Sequence, residues 1–254
     1  MLANYHMTEN KYLESILNNG LIPQQGIRSN LIGDSKNAVF YSKEYEGVIA
    51  MFFMMIERFI QYRDSIGDVH IDAYNNFIKM ADRKKQQGIE ISETLQEAIN
   101  NEKKIVDVIN AVRNASDWKE FFGEGVCLKI NHVHEENSDL PEFTFYNSWT
   151  TSIIPPEDIS VIILKNRETG DFLSSKYDVV NYFISKISLD RMRTILYDTD
   201  SKESKRESHL LWQIMSKYYI ENRDNFESSF EKYDIVEMDI SSYLNNKNSK
   251  SKGM

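Results

Sequence analysis

The chain has 254 residues and a formal net charge of -9, and 41% of its residues are hydrophobic. This length fits one large domain or two small ones, and the apolar fraction is sufficient for a hydrophobic core. The acidic balance argues against general binding to nucleic acid, which depends on cationic contacts with phosphates. No apolar run approaches the roughly 20 residues of a membrane-spanning helix, and no secretory signal is expected.

Residues that could form a disulfide or bind a metal are few. Cys127 is the only cysteine, which excludes an internal disulfide and fits a reducing cytoplasm. Because Cys127 stands between Val126 and Leu128, we interpret it as a buried side chain rather than a nucleophile. His132 and His134 have a spacing that could place two ligands on one strand face, but no third ligand is evident. No metal site is therefore predicted.

The first part of the chain predicts two strands and two helices in alternation. Residues 3–7 are compatible with a strand that carries His6. Residues 9–19 have apolar side chains at helical spacing and precede a glycine, which is typical of a short helix. Residues 38–42 are typical of a strand. Residues 46–62 predict a largely buried helix, because apolar side chains occur on almost all of its sides.

The rest of the chain predicts an insertion, further strands and then helices. A single apolar stripe along residues 67–122 predicts an inserted helical hairpin. Strands are predicted over 126–130, 143–154 and 159–164. The pattern becomes helical over 167–244, and the polar stretch 245–254 predicts a disordered tail. We therefore divide the chain into a core of residues 1–166, a helical C-terminal region and this tail.

Three sequence pieces occur in a recognisable order. They are Tyr5-His6-Met7-Thr8 with the following Gly20-Leu21-Ile22-Pro23, then Val39-Phe40-Tyr41-Ser42, and then Ile154-Pro155-Pro156-Glu157-Asp158-Ile159. Together they resemble the ADP-ribosyltransferase superfamily, in particular its His-Tyr-Glu branch, which is similar to poly(ADP-ribose) polymerases and diphtheria toxin. The first piece also resembles the RNA 2′-phosphotransferases. The resemblance covers roughly residues 3–165 without the insertion, and it implies an α+β fold with a split β-sheet core.

The resemblance also implies a cleft that binds NAD as a substrate. The residues implied in binding are His6, Met7, Thr8, Arg28, Tyr41 and Ser42. His6 would bond the ribose next to nicotinamide, and the backbone of Met7, where the family favours glycine, would hold the nicotinamide amide. Tyr41 would stack on the cationic nicotinamide ring. Arg28, which lies in a loop, would reach the pyrophosphate.

A third residue is needed next to the reacting carbon. Breaking the glycosidic bond of NAD passes through an oxocarbenium-like species, which a carboxylate normally stabilises. The resemblance implies a glutamate on the strand before the Ile-Pro turn, and the matching position holds Asn147. Asparagine can donate and accept hydrogen bonds but carries no charge. Glu142, slightly upstream, is the alternative if the register is shifted.

The implied function is transfer of ADP-ribose from NAD to a macromolecular acceptor, as in a bacterial toxin, effector or defence protein. One alternative is a catalytically degenerate module of the same fold that binds a nucleotide or a partner. A second alternative is an enzyme similar to the RNA 2′-phosphotransferases, which would require several arginines in the cleft. The sequence leaves the acceptor and the oligomeric state open.

Overall fold

An antiparallel β-sheet forms the framework of the protein. The computed structural model describes residues 4–24, 37–133, 137–138, 148–197 and 204–251. The strands are β1 (Asn4–Glu9), β2 (Val39–Lys43), β3 (Gly125–Ile130), β4 (Asn137–Ser138), β5 (Ser148–Thr150), β6 (Ile159–Asn166), β7 (Phe172–Leu173) and β8 (Tyr233–Asp239). Their order is β4-β5-β2-β1-β3-β6-β7, and β8 pairs with β6. All of these neighbours run antiparallel.

Helices occupy most of the remaining described chain. They are α1 (Leu13–Asn19), α2 (Glu44–Arg63), α3 (Ser65–Gln86), α4 (Glu93–Asn114), α5 (Trp118–Phe122), α6 (Lys176–Ser185), α7 (Leu189–Tyr197), α8 (Ser204–Ser229) and α9 (Ile240–Ser251). Within the described ranges, no helix has the length and apolar content needed to cross a membrane. The combination of one antiparallel sheet with separate helices confirms the predicted α+β class.

One face of the sheet forms a large hydrophobic cluster with α1 and α9. Side chains alternate between the two faces of a strand, so every second residue contributes to this cluster. The sheet contributes Val39, Tyr41, Val126, Leu128, Ile130, Ile159, Val161 and Ile163. Leu13 and Ile16 of α1, together with Ile240 and Tyr243 of α9, cover them. We call this side of the sheet the α1 face.

The opposite face of the sheet packs against α6. The buried residues of this helix are spaced three and four apart, as an amphipathic helix requires, and they include Val179, Val180, Phe183 and Ile184. Tyr5 of β1 meets Phe183 edge-on, with 5.5 Å between the ring centroids. Since Tyr5 and His6 are consecutive in a strand, His6 belongs to the α1 face.

Residues 55–122 form a second compact unit, separate from the unit that contains the sheet. Its main feature is a hairpin of α3 and α4, in the region where the sequence predicts a helical insertion. The end of α3 packs on the start of α4 through Ala81, Leu95 and Ile99. Asp68 near the start of α3 pairs with Arg113 at the end of α4, with 2.7 Å between Oδ1 and the guanidinium, so the two helices are antiparallel.

The N-terminal helix begins later than predicted. Thr8 and Glu9 remain in β1, where they pair with Val126 and Gly125. A 3-10 turn follows, and the α-helix begins only at Leu13. Pairing with β3 thus keeps Thr8 and Glu9 in the strand, although the local sequence pattern favours a helix there.

The C-terminal region differs from the prediction in two respects. It is not purely helical, because β8 pairs with β6 over seven residues. In addition, residues 245–251 of the predicted disordered tail continue helix α9. Ile240 and Tyr243 are almost fully buried against the sheet. This burial anchors the start of the helix, and once a helix is nucleated each further residue adds a hydrogen bond at little cost.

Helix α7 is held to the first turn of α2 by a bidentate ion pair. The Arg191 guanidinium donates to both oxygens of Glu46, at 2.9 and 3.0 Å, and Glu46 is buried. We expect Arg191→Ala to lower the free energy of unfolding by about 2 kcal/mol, because it leaves a buried carboxylate without its partner. Urea denaturation measures this loss. In a Glu46→Gln background, Arg191→Ala should lower the free energy of unfolding by less than half as much. An equal loss in that background would contradict a role for the ion pair.

Cys127 is fully buried, as the sequence predicts. Burial raises the pKa of its thiol to about 12, so the reactive thiolate is scarce at neutral pH. We expect no reaction of the native protein with an aromatic disulfide reagent at pH 8 over about an hour, and one equivalent after denaturation in guanidinium. Rapid labelling of the native protein would show that the thiol is accessible.

Candidate functional site

The sheet opens into a fork between β1 and β2. Pairing of these strands comprises Asn4 with Lys43 and Tyr5 with Ser42. From His6 onwards, β1 continues to pair with β3 as far as Glu9, whereas β2 pairs with β5 over Val39–Tyr41. The ladder between β1 and β2 therefore ends at Tyr5 and Ser42, and the two strands separate beyond this pair. We call this opening the β1–β2 fork.

His6 spans the apex of the fork. Its Nδ1 atom lies 2.7 Å from the carbonyl oxygen of Phe40 on β2. A carbonyl oxygen only accepts, so Nδ1 carries the hydrogen and donates it. In the neutral ring this leaves Nε2 as a hydrogen-bond acceptor. The hydrogen bond to Phe40, on the other strand of the fork, therefore fixes the tautomer of the His6 ring.

His6 and Tyr41 lie on the same face of the sheet. Asn4 pairs with Lys43, and these two side chains point to the same face of the sheet. His6 and Tyr41 each lie two residues from this pair, towards the opening of the fork, so their side chains point to that face as well. The β1–β3 register agrees, because His6 pairs with Leu128, which belongs to the same hydrophobic cluster as Tyr41. The fold thus brings together two residues that are 35 positions apart in the chain.

The Tyr41 ring is covered in this conformation. Only 2% of the residue is exposed, and it belongs to the cluster that α1 and α9 complete. Its partner on β5 is Ser148, which is also buried. A flat ligand ring can stack on Tyr41 only after the groups above it move aside.

The other predicted binding residues divide between the two faces. Thr8 is buried on the α1 face with His6. The side chain of Met7 points to the opposite face, where its neighbour on β3 is Cys127. Ser42 also belongs to that opposite face, since it pairs with Tyr5. Only the backbone of Met7 therefore borders the fork, which is the part of this residue that the resemblance implies in binding.

Three predicted residues, Arg28, Glu142 and Asn147, lie outside the described residues. The first described residue after Asn147 is Ser148, which pairs with Tyr41. The carbonyl of Phe40 and the hydroxyl of Ser148 are groups that sequence reasoning missed. No local pattern could have shown them, because both depend on how β2 is paired with its neighbours.

Two of the recognised sequence pieces meet beside the sheet. Leu21 and Ile154 form an isolated antiparallel bridge, with hydrogen bonds of 2.9 and 3.1 Å in the two directions. Gly20 precedes the bridge with a φ of +76°, a conformation that favours glycine. The bridge ties the end of α1 to the turn that leads into β6.

The phenol of Tyr5 stands on the far side of the sheet from His6. Burial, and then the nearby Cys127, Glu237 and Glu44, raise its pKa to about 12. It therefore stays protonated at physiological pH and cannot act as a base there. In the part of the chain that the structure describes, no group of three or more His, Cys, Asp or Glu side chains could hold a metal ion.

No family model, curated protein or solved structure matches the chain. Function is therefore inferred from the residues around the β1–β2 fork.

Proposed function

We propose that the protein is an NAD-dependent ADP-ribosyltransferase that modifies a macromolecular acceptor. The observation that carries this proposal is the β1–β2 fork, with His6 at its apex and Tyr41 on the same face. The backbone N–H and C=O groups that border a fork are strong hydrogen-bonding groups. The single buried thiol supports a cytoplasmic setting.

Each group at the fork has a role in NAD binding under this proposal. Nε2 of His6 accepts a hydrogen bond from a ribose hydroxyl, because Nδ1 is already committed to Phe40. The backbone of Met7 holds the nicotinamide amide. Tyr41 stacks on the nicotinamide ring once its cover moves, so binding includes a local rearrangement of the α1 face.

The reaction requires an exchange at the ribose carbon. The bond from this carbon to the nicotinamide nitrogen breaks, and its electron pair leaves with nicotinamide. A nucleophile of the acceptor forms the new bond and loses its proton to solvent or to a carboxylate. The residue next to the reacting carbon is Asn147 or Glu142 under the proposal, and Glu142 would add the charge that stabilises the oxocarbenium-like species.

Nicotinamide release tests the proposal. The full chain is incubated with NAD, with and without a cell extract as a source of acceptors, and nicotinamide is quantified by chromatography. The proposal predicts release together with transfer of labelled ADP-ribose to a macromolecule. Failure of both release and NAD binding would exclude the proposed function.

The second candidate is a non-catalytic module that binds a nucleotide or a partner through the same fork. The near-complete burial of Tyr41 favours it, because a catalytic stacking residue would be expected to face an open cleft. A calorimetric titration distinguishes the two candidates. Binding of NAD without nicotinamide release in any extract would favour the module over the transferase.

A further inference from the structure

Helix α3 carries an exposed aliphatic stripe that the hairpin does not use. Ile66, Val69 and Met80 are 40%, 68% and 48% exposed, and Ala73 lies between them. At about 100° per residue these four positions fall within about 60° of the helix circumference. The hairpin core uses the adjoining side of α3, through Tyr74, Phe77, Ile78 and Ala81. An aliphatic stripe next to a satisfied core is typical of a helix that meets a partner.

The surface of α3 on one side of this stripe, which we call its flank, carries negative charges near the start of the helix and positive charges near its end. Asp68 and Asp72 lie in the first half of α3, and Lys79 and Arg83 lie in the second half. All four are exposed and fall within about 60° of one another around the helix. Among the described residues, Asp72, Lys79 and Arg83 form no ion pair, while Asp68 pairs with Arg113. The flank is therefore acidic at one end and basic at the other.

We propose that α3 is a self-association surface, on which two copies of the chain pair antiparallel about a two-fold axis. In an antiparallel helix pair each flank meets the same flank of the partner, and a two-fold contact must be self-complementary. With the axis near Asn76, Asp72 meets Lys79 of the second copy, and Asp68 meets Arg83 of the second copy. The same alignment brings Val69 to within about 3 Å, along the helix axis, of Met80 of the second copy.

The size of the contact sets the strength of the dimer. Ile66 and Met80 are 14 residues apart, which corresponds to about 21 Å along the helix axis. One helix pair of this length buries less than a standard protein–protein interface. The dimer is consequently weak, depends on protein concentration, and dissociates as salt screens its exposed charges. It does not depend on the function proposed for the fork.

Reciprocal charge substitutions test this surface by sedimentation equilibrium of the full chain over about 5–300 µM. Asp72→Lys and Lys79→Asp should each weaken association roughly tenfold, because two attractive contacts become repulsive. An equimolar mixture of the two variants should recover association as a mixed dimer. The double variant, with both substitutions in one chain, should recover it as well. Glu97→Lys, an exposed change on α4, is the matched control and should leave association unaltered.

Three results would overturn the proposal. The first is a wild-type protein that is monomeric throughout the concentration range. The second is a dimer that neither single substitution weakens, which would place the interface elsewhere. The third is a failure of the mixture and of the double variant to recover association, since an antiparallel two-fold contact requires both recoveries.

Discussion

Replacing His6 by Asn is expected to lower nicotinamide release at least about a hundredfold, the typical effect of removing one hydrogen bond that stabilises a transition state. The asparagine amide can take the place of Nδ1 and keep the hydrogen bond to Phe40. It is too short to replace Nε2. The substitution therefore separates the binding role of His6 from its structural role. The kcat/KM for release is measured, because it contains both NAD binding and transition-state stabilisation, together with the melting temperature of the variant.

His6→Gln provides the matched comparison. Its longer side chain can reach the position of Nε2 but cannot keep the bond of Nδ1 to Phe40. We expect His6→Gln to retain more activity than His6→Asn and to be the less stable of the two proteins. Wild-type release by His6→Asn would show that the histidine only joins the two strands.

Replacing Gly20 by Ala is expected to lower the free energy of unfolding by about 3 kcal/mol or more. A Cβ at this position would overlap the carbonyl oxygen of Ile154 and would also lie 3.2 Å from Cγ2 of Ile153. The backbone must shift to relieve the overlap, and the bridge between Leu21 and Ile154 is then lost. Urea denaturation monitored by circular dichroism measures the change.

Gly170→Ala is the control for Gly20→Ala. Gly170 has a φ of +75°, almost the same as Gly20, but a Cβ there would meet no atom within 4 Å. Gly170→Ala is therefore expected to lower the free energy of unfolding by only about 1 kcal/mol, the cost of placing an alanine at a positive φ. The difference between the two variants reports the steric overlap with Ile154 together with the cost of the ψ of −174° at Gly20. Equal losses would mean that the bridge adds nothing beyond the backbone conformation.

Much of the framework could be predicted from local patterns. The apolar stretch that became β6 and the periodic pattern of the hairpin each follow from side-chain periodicity. Gly20 marks the end of α1 because its positive φ is a local requirement. The buried thiol of Cys127 follows from its apolar neighbours.

The parts that could not be predicted depend on long-range pairing. Strand β8 contains Asp234, Glu237 and Asp239, and it forms because β6 offers it a full ladder. Helix α9 continues into a polar tail because two of its residues are buried on the sheet. The β1–β2 fork arises because the ladder between these strands ends at Tyr5 and Ser42. No window of sequence encodes where that ladder ends. The three sequence pieces include His6 and Tyr41, and the fold places both residues at the fork.

A calorimetric titration of NAD into the wild-type protein and into His6→Asn tests most directly whether the β1–β2 fork is a nucleotide-binding site. We predict a single site in the wild-type protein, with affinity lowered at least about tenfold in the variant, since one hydrogen bond to the ribose is lost. An absence of binding to the folded wild-type protein, or equal binding to both proteins, would contradict the assignment of NAD to this fork.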